Sequence, residues 1–158
     1  MTDSPATTVR SSSGLNDLMS YLDTSRSPWH AVQSAVERLQ AQGFRQLAIT
    51  DDWSDLGEGL PAAGYVVSGA SLIAYRQAGN ADAAGTGGAT PFRIIGAHTD
   101  SPCLKVKPRP DAGGLGWKQL AVEVYGGVLL NSWLDRDLGI AGRVVTTDGG
   151  LIDRKSVV

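Results

Sequence analysis

Residues 92–102 have the sequence FRIIGAHTDSP, and the fold predicted for the chain depends mainly on these residues. The run from Phe92 to Ala97 is mostly apolar, which is typical of a strand buried on both faces of a sheet. His98 then lies at the carboxyl end of that strand, where the loops of an open α/β sheet converge on a crevice. The stretch therefore predicts an α/β fold with a functional site around His98.

The pair His98 and Asp100 suits a metal-binding role. An imidazole is a common metal ligand, and a carboxylate two residues later can accept a hydrogen bond from its other ring nitrogen. That bond fixes the tautomer and raises the basicity of the ligand. A His-x-Asp spacing alone is a weak signal, because incidental surface or capping pairs share it. Cys103 follows closely, but no histidine accompanies it, which disfavours a nucleophilic role.

The residues before this stretch predict two helices and a hairpin. Apolar residues recur at helical spacing from Leu15 to Leu22. A second helix is predicted after Ser27 as N-cap, with Pro28 in its first position and Gly43 as its stop signal. Residues 65–75 predict a β-hairpin.

The chain is expected to divide into three parts. Residues 1–14 are predicted to be a disordered tail, residues 15–107 an α/β part, and residues 108–158 a β-rich part. The Gly-rich residues 79–90 predict a flexible loop. Strands are predicted in the β-rich part at Ala121–Tyr125, Val128–Trp133, Ala141–Thr146 and Leu151–Val158. Because the last of them has no stop signal, we expect the chain to be a piece of a longer protein.

Composition narrows the class of protein. The chain has 158 residues, 42% of them hydrophobic, and a net charge of −2. That charge disfavours nucleic-acid binding, and a single cysteine excludes an internal disulfide or a clustered-cysteine zinc site. No apolar run approaches the roughly 20 residues of a membrane span, and no signal peptide is evident. These properties predict a cytoplasmic protein without membrane partners.

The sequence around His98 resembles a known family. Residues 95–108, IGAHTDSPCLKVKP, are similar to the first zinc motif of the aspartyl aminopeptidases, which are co-catalytic two-zinc metallo-aminopeptidases. Two further segments resemble the same family in the same order, residues 21–31 and residues 124–144. The likeness covers roughly residues 15–158.

The resemblance implies a site and an architecture. It implies that His98 binds one of two zinc ions in the intact enzyme and that Asp100 orients His98, while the other ligands and the general base lie beyond Val158. It implies a peptide substrate with a free, preferably acidic N-terminal residue, and assembly into homo-oligomers. The chain would then hold the start of a metallopeptidase catalytic domain with a central sheet, followed by the start of a β-rich oligomerisation domain.

Two other classes of function stay open. The chain could be a non-catalytic structural or interaction fragment without an assembled metal site, because one histidine cannot hold a zinc ion. A small β-rich ligand-binding module is the third alternative, but it leaves the strand before His98 unexplained. His30 favours a structural or capping role, and Asp135 and Asp137 favour a salt-bridge or interface role on one face of a strand.

Overall fold

The computed structural model describes the backbone of residues 12–53, 59–77 and 92–156. The chain divides into two compact units, Met1–Ile94 and Ile95–Val158. Most of the predicted tail and the whole predicted loop at 79–90 lie outside the described residues. The domain boundary predicted near residue 107 stays a prediction.

The first unit begins with helix α1, Ser12–Thr24, which starts before the predicted Leu15. Its Asp17 accepts a hydrogen bond from Arg38 of the next helix, with 2.8 Å between Oδ1 and Nη2. The Arg38 guanidinium also lies over the Tyr21 ring, 5.2 Å from its centroid. The apolar stripe of α1 is more than half exposed, so polar and aromatic contacts dominate this helix pair.

Helix α2, Pro28–Ala41, has the ends that the sequence predicts. Ser27 is extended at φ −145° and its side chain accepts a hydrogen bond from the His30 backbone N–H, which satisfies one of the first free donors. Gly43, at φ +78°, takes the left-handed conformation that terminates helices.

A three-stranded sheet follows α2. Its strands are β1, Arg45–Leu47, β2, Ala63–Ser68, and β3, Ser71–Arg76, with β2 in the centre. The predicted hairpin is confirmed, since β2 and β3 pair antiparallel around a two-residue turn. Strand β1 pairs parallel to β2 and was not predicted, because three residues carry too little periodicity to detect. The buried apolar residues of the described part are Ala31, Val32, Leu47 and Tyr65.

The predicted buried strand Phe92–Ala97 is wrong for the chain as described. These residues form no strand, and Ile94 and Ile95 are 88% and 96% exposed. A strand needs a neighbour to bond its backbone N–H and C=O groups. None of the described strands pairs with this segment, so its apolar side chains are left in solvent.

The described residues of the second unit include two antiparallel strand pairs. The first is β4, Cys103–Asp111, with β5, Leu120–Tyr125. The second is β6, Ile140–Val145, with β7, Leu151–Ser156, and it carries a bidentate ion pair between Arg143 and Asp153 at 2.7 and 3.0 Å.

Two predictions between β5 and β6 are wrong. The expected strand Val128–Trp133 contains a 3₁₀ helix at Leu130–Trp133 instead. Asp135 has φ +52°, which a strand does not permit, so Asp135 and Asp137 do not share a strand face. The apolar run had suggested a strand, but periodicity cannot separate a short strand from a short helix. The described residues contain two α-helices and three small sheets, so the α/β class itself is confirmed. Within the described ranges, no helix has the length and apolar character needed to cross a bilayer.

The β6–β7 turn makes a testable pH prediction. The Thr146 hydroxyl, and after it the Gly150 backbone N–H, bond the Asp148 carboxylate and lower its pKa. A carboxyl whose pKa is depressed by folding stabilises the fold above the unfolded pKa, about 4, and this stabilisation is lost as the pH falls through the lower folded pKa. Thr146→Val should therefore raise the pKa of Asp148 in an NMR titration. Thr147→Val makes the same change one residue along and should leave that pKa unchanged; equal shifts in both variants would contradict the assignment.

Candidate functional site

The pairing of β4 with β5 builds the surroundings of the His98 motif. Cys103 at the start of β4 lies opposite Tyr125 at the end of β5. Beyond this pair, Gly126 takes φ +71° and passes close to Pro102, so that a Cβ at Gly126 would lie 3.4 Å from the Pro102 Cα. Because Asp100 precedes β4 by three residues, the register brings the Tyr125 side chain to it.

Three side chains form a hydrogen-bonded row at this place. His98 Nδ1 lies 3.0 Å from Asp100 Oδ1. The Tyr125 hydroxyl donates to the other carboxylate oxygen, Asp100 Oδ2, at 2.7 Å. Asp100 thus uses both oxygens, one for each neighbour, and Tyr125 stands 25 residues away from it in the sequence.

The electrostatics of the row agree with its geometry. The Tyr125 hydroxyl, and to a lesser extent His98, lower the pKa of Asp100 because both stabilise its charged form. The same carboxylate raises the pKa of Tyr125, so the phenol keeps its proton. Since Asp100 is a charged acceptor, the proton of a neutral His98 ring belongs on Nδ1. Nε2 then carries the lone pair.

This arrangement fits one ligand of a metal site. The His98 side chain is 90% exposed and that of Asp100 is 38% exposed. The imidazole therefore projects into solvent, while Asp100 holds the Nδ1 side of the ring. An imidazole with its Nδ1–H bonded to a carboxylate is the common form of a histidine ligand. Among the described residues, however, no three His, Cys, Asp or Glu side chains lie close enough together to hold a metal ion.

The other candidates do not join this row. His30 is buried, and its Nδ1 lies 2.6 Å from the Oγ of Ser27, in agreement with the structural role predicted for it. Cys103 is half-buried and free. In the turn after the 3₁₀ helix, Arg136 bonds the backbone carbonyl of Ser132.

A concavity of about 470 Å³ lies at the other end of the β4–β5 pair. Its lining includes Asp111, Trp117 and Lys118. Asp111 pairs with Leu120, whereas the His98 row adjoins the Cys103–Tyr125 end. The concavity therefore does not belong to the row.

The sequence predicts His98 and Asp100 as site residues but gives no indication of Tyr125. The tyrosine belongs to one of the segments that carry the family resemblance, yet nothing in its spacing from Asp100 indicates contact. Only the antiparallel register of β4 and β5 brings the two together. A predicted pairing of these two strands would have been the signal to use.

Comparison with known proteins identifies the class of this fold and site. The family model of the aminopeptidase I zinc metalloproteases, M18, matches residues 21–158. The chain therefore belongs to the M18 family of zinc metalloproteases, which confirms the resemblance to metallo-aminopeptidases carried by the His98 motif.

Particular relatives show how much of such a protein this chain represents. A probable M18 family aminopeptidase 2 from Streptomyces avermitilis is 58% identical over 134 residues, which are 85% of this chain and 29% of the relative. A structure of a complex of Ape4 and Nbr1 matches with a TM-score of 0.74 and 33% identity, over 90% of this chain and 27% of the other. A mApe1 dodecamer from S. cerevisiae matches with a TM-score of 0.67 and 26% identity, over 90% and 32%. The chain thus spans less than a third of the length of each of these three proteins.

Proposed function

We propose that the protein containing this chain is a zinc-dependent aminopeptidase, and that this chain supplies His98 as one metal ligand. The observation that carries the proposal is the exposed imidazole, whose Nδ1 is engaged by Asp100 and whose Nε2 is left for a ligand bond. Membership of a zinc metalloprotease family supports zinc as the metal.

The residues of this chain would prepare the ligand rather than complete the reaction. Asp100 accepts the Nδ1 proton and so keeps the lone pair on Nε2. When bound, zinc ions lower the pKa of a coordinated water and polarise the scissile carbonyl. We propose two ions, with the remaining ligands and the general base in the part of the protein that lies outside this chain.

The exposed segment before His98 fits a larger protein. Ile94 and Ile95 expose almost all of their side chains, and burying a side chain of this size contributes about 1.5–3 kcal/mol. We propose that strands from the rest of the protein cover residues 92–97. His98 would then follow a sheet strand, as the sequence predicts.

Substrate, assembly and location are finer parts of the proposal. The substrate would be a peptide with a free N-terminus, preferably Asp or Glu. The dodecamer formed by the mApe1 relative supports a homo-oligomer, built through the β-rich residues 108–158. A single cysteine favours a reducing compartment such as the cytoplasm.

A second candidate function is that of a non-catalytic structural or interaction fragment. The observation in its favour is that no three metal-binding side chains come together among the described residues. The two functions differ in what the isolated 158 residues can do, and in what the longer protein can do.

Zinc content and hydrolysis test the proposal directly. The full-length polypeptide should contain zinc and hydrolyse an aspartyl anilide faster than a leucyl anilide, and a chelator should abolish both zinc content and activity until zinc is restored. The N-acetylated aspartyl anilide is the matched control and should resist hydrolysis, since it lacks the free amine. The isolated chain should be inactive. A full-length protein without zinc-dependent hydrolysis would contradict the proposal and favour the second function.

A further inference from the structure

We propose that Tyr125 is a positioning residue for His98, acting through Asp100. This inference rests on the proposed function, because its purpose is to present Nε2 of His98 to zinc. The residue lies on β5, away from the His98 motif in the sequence, and it is placed by its hydroxyl bond to Asp100 Oδ2 at 2.7 Å.

The carboxylate of an aspartate side chain has rotational freedom unless both of its oxygens are held. The terminal torsion of Asp is broad, so a carboxylate held at one oxygen alone can rotate. Here Tyr125 holds Oδ2 while Oδ1 faces His98 Nδ1 at 3.0 Å. The phenol therefore sets the plane in which the carboxylate meets the imidazole.

The surroundings explain why this restraint matters for His98. The His98 side chain is 90% exposed, so packing does little to fix its rotamer or tautomer. The side chain is held by the bond between its Nδ1 and Asp100. A restraint on Asp100 thus becomes a restraint on the imidazole.

The backbone gives Tyr125 a fixed position. It pairs with Cys103 in the β4–β5 register, and Gly126 turns next to Pro102 directly after it. Both contacts tie the residue to the segment that carries Asp100. The backbone therefore places Tyr125 beside the segment whose Asp100 bonds the exposed imidazole of His98.

The chain has two histidines, so ring-nitrogen NMR of ¹⁵N-histidine-labelled protein gives two sets of signals. His98 should show predominantly the Nδ1–H tautomer. Tyr125→Phe removes a single oxygen atom and should shift the population toward the Nε2–H tautomer. Tyr75→Phe is the matched control, because the described residues offer the Tyr75 hydroxyl no hydrogen-bond partner. It should leave the His98 signals unchanged.

A double-mutant cycle separates positioning from a general loss of structure. If Tyr125 acts through Asp100, Tyr125→Phe should add no further change to the tautomer in an Asp100→Ala background. In the full-length protein, Tyr125→Phe should weaken zinc binding about tenfold, the lower end of the roughly 10–100-fold that outer partners of metal ligands contribute. Restoring saturating zinc should recover most of the activity.

Unchanged His98 signals in Tyr125→Phe, or an equal additional change in the Asp100→Ala background, would overturn the inference. So would a shifted tautomer with unaltered zinc affinity. If Tyr125→Phe instead loosens β5, the cross-strand contacts of Cys103 with Tyr125 will weaken, which also counts against a specific role. A full-length protein without zinc-dependent activity would instead refute the proposed function, while the tautomer shift would still report on Tyr125.

Discussion

His98→Ala should remove zinc-dependent hydrolysis from the full-length protein. Loss of an outer partner of a metal ligand already weakens metal binding or activity about 10–100-fold, and loss of the ligand itself removes a bond to the metal. We therefore expect activity to fall by more than about 100-fold. Zinc content measured by mass spectrometry should fall with it, because a site with one protein ligand fewer cannot keep its ion.

The second histidine supplies the control. His30 is buried in α2 and lies beside its N-cap residue Ser27, so His30→Asn tests the loss of an imidazole away from the row. It should reduce thermal stability but leave zinc content near that of the wild type. A His98→Ala protein that keeps its zinc and its activity would show that the metal assignment is wrong.

The elements predicted best from sequence are those with local signals. Ser27, Pro28 and Gly43 mark the ends of α2, and the backbone takes the conformations that they favour there: an extended N-cap at Ser27 and a left-handed residue at Gly43. The β2–β3 hairpin could be predicted equally well, since its two apolar runs flank a short turn that contains Gly69. In each case the cause lies within a few residues of its effect.

The strand predicted before His98 shows the limit of such prediction. Its apolar sequence describes the surroundings that Ile94 and Ile95 require, but not whether those surroundings exist. In the described part of the chain these buried surroundings are missing, and the side chains of Ile94 and Ile95 are both exposed. An apolar pattern therefore indicates which side chains would be stabilised by burial. Whether the segment forms a strand depends on the presence of neighbouring strands that pair with it.

The candidate site divides in the same way. His98 and Asp100 are two residues apart, so their contact could be predicted from the spacing and is present at 3.0 Å. The contact of Tyr125 with Asp100 depends on strand register. A slip of one residue in that register would turn the Tyr125 side chain to the other face of the strand pair and break the contact. The part of the site that sequence missed is thus the part fixed by non-local pairing.

Tyr65→Ala should have the largest effect on stability in the first unit. Tyr65 is completely buried on the central strand β2. Its hydroxyl accepts a hydrogen bond from Gln40 of α2 at 2.8 Å and donates one to Gln46 of β1 at 3.2 Å. The residue therefore joins the helix to the sheet through both its ring and its hydroxyl.

Replacing a buried aromatic residue by alanine costs about 3–5 kcal/mol, a large share of the roughly 5–15 kcal/mol by which domains are stable. Hydrogen exchange of β2 and β3 amides in the full-length protein should report this loss in the free energy of unfolding. Tyr65→Phe keeps the ring and should lose only the hydroxyl bonds, about 1–3 kcal/mol.

The matched control is Ile73→Ala on the neighbouring strand β3, because Ile73 is 73% exposed. It should change the free energy by less than about 0.5 kcal/mol. If Tyr65→Ala and Ile73→Ala reduced protection equally, the helix–sheet contact at Tyr65 would not be what holds this unit together. If Tyr65→Phe were as damaging as Tyr65→Ala, the two glutamine bonds rather than ring burial would dominate. The three variants together therefore separate apolar burial from hydrogen bonding at Tyr65, a fully buried side chain that joins α2 to the sheet.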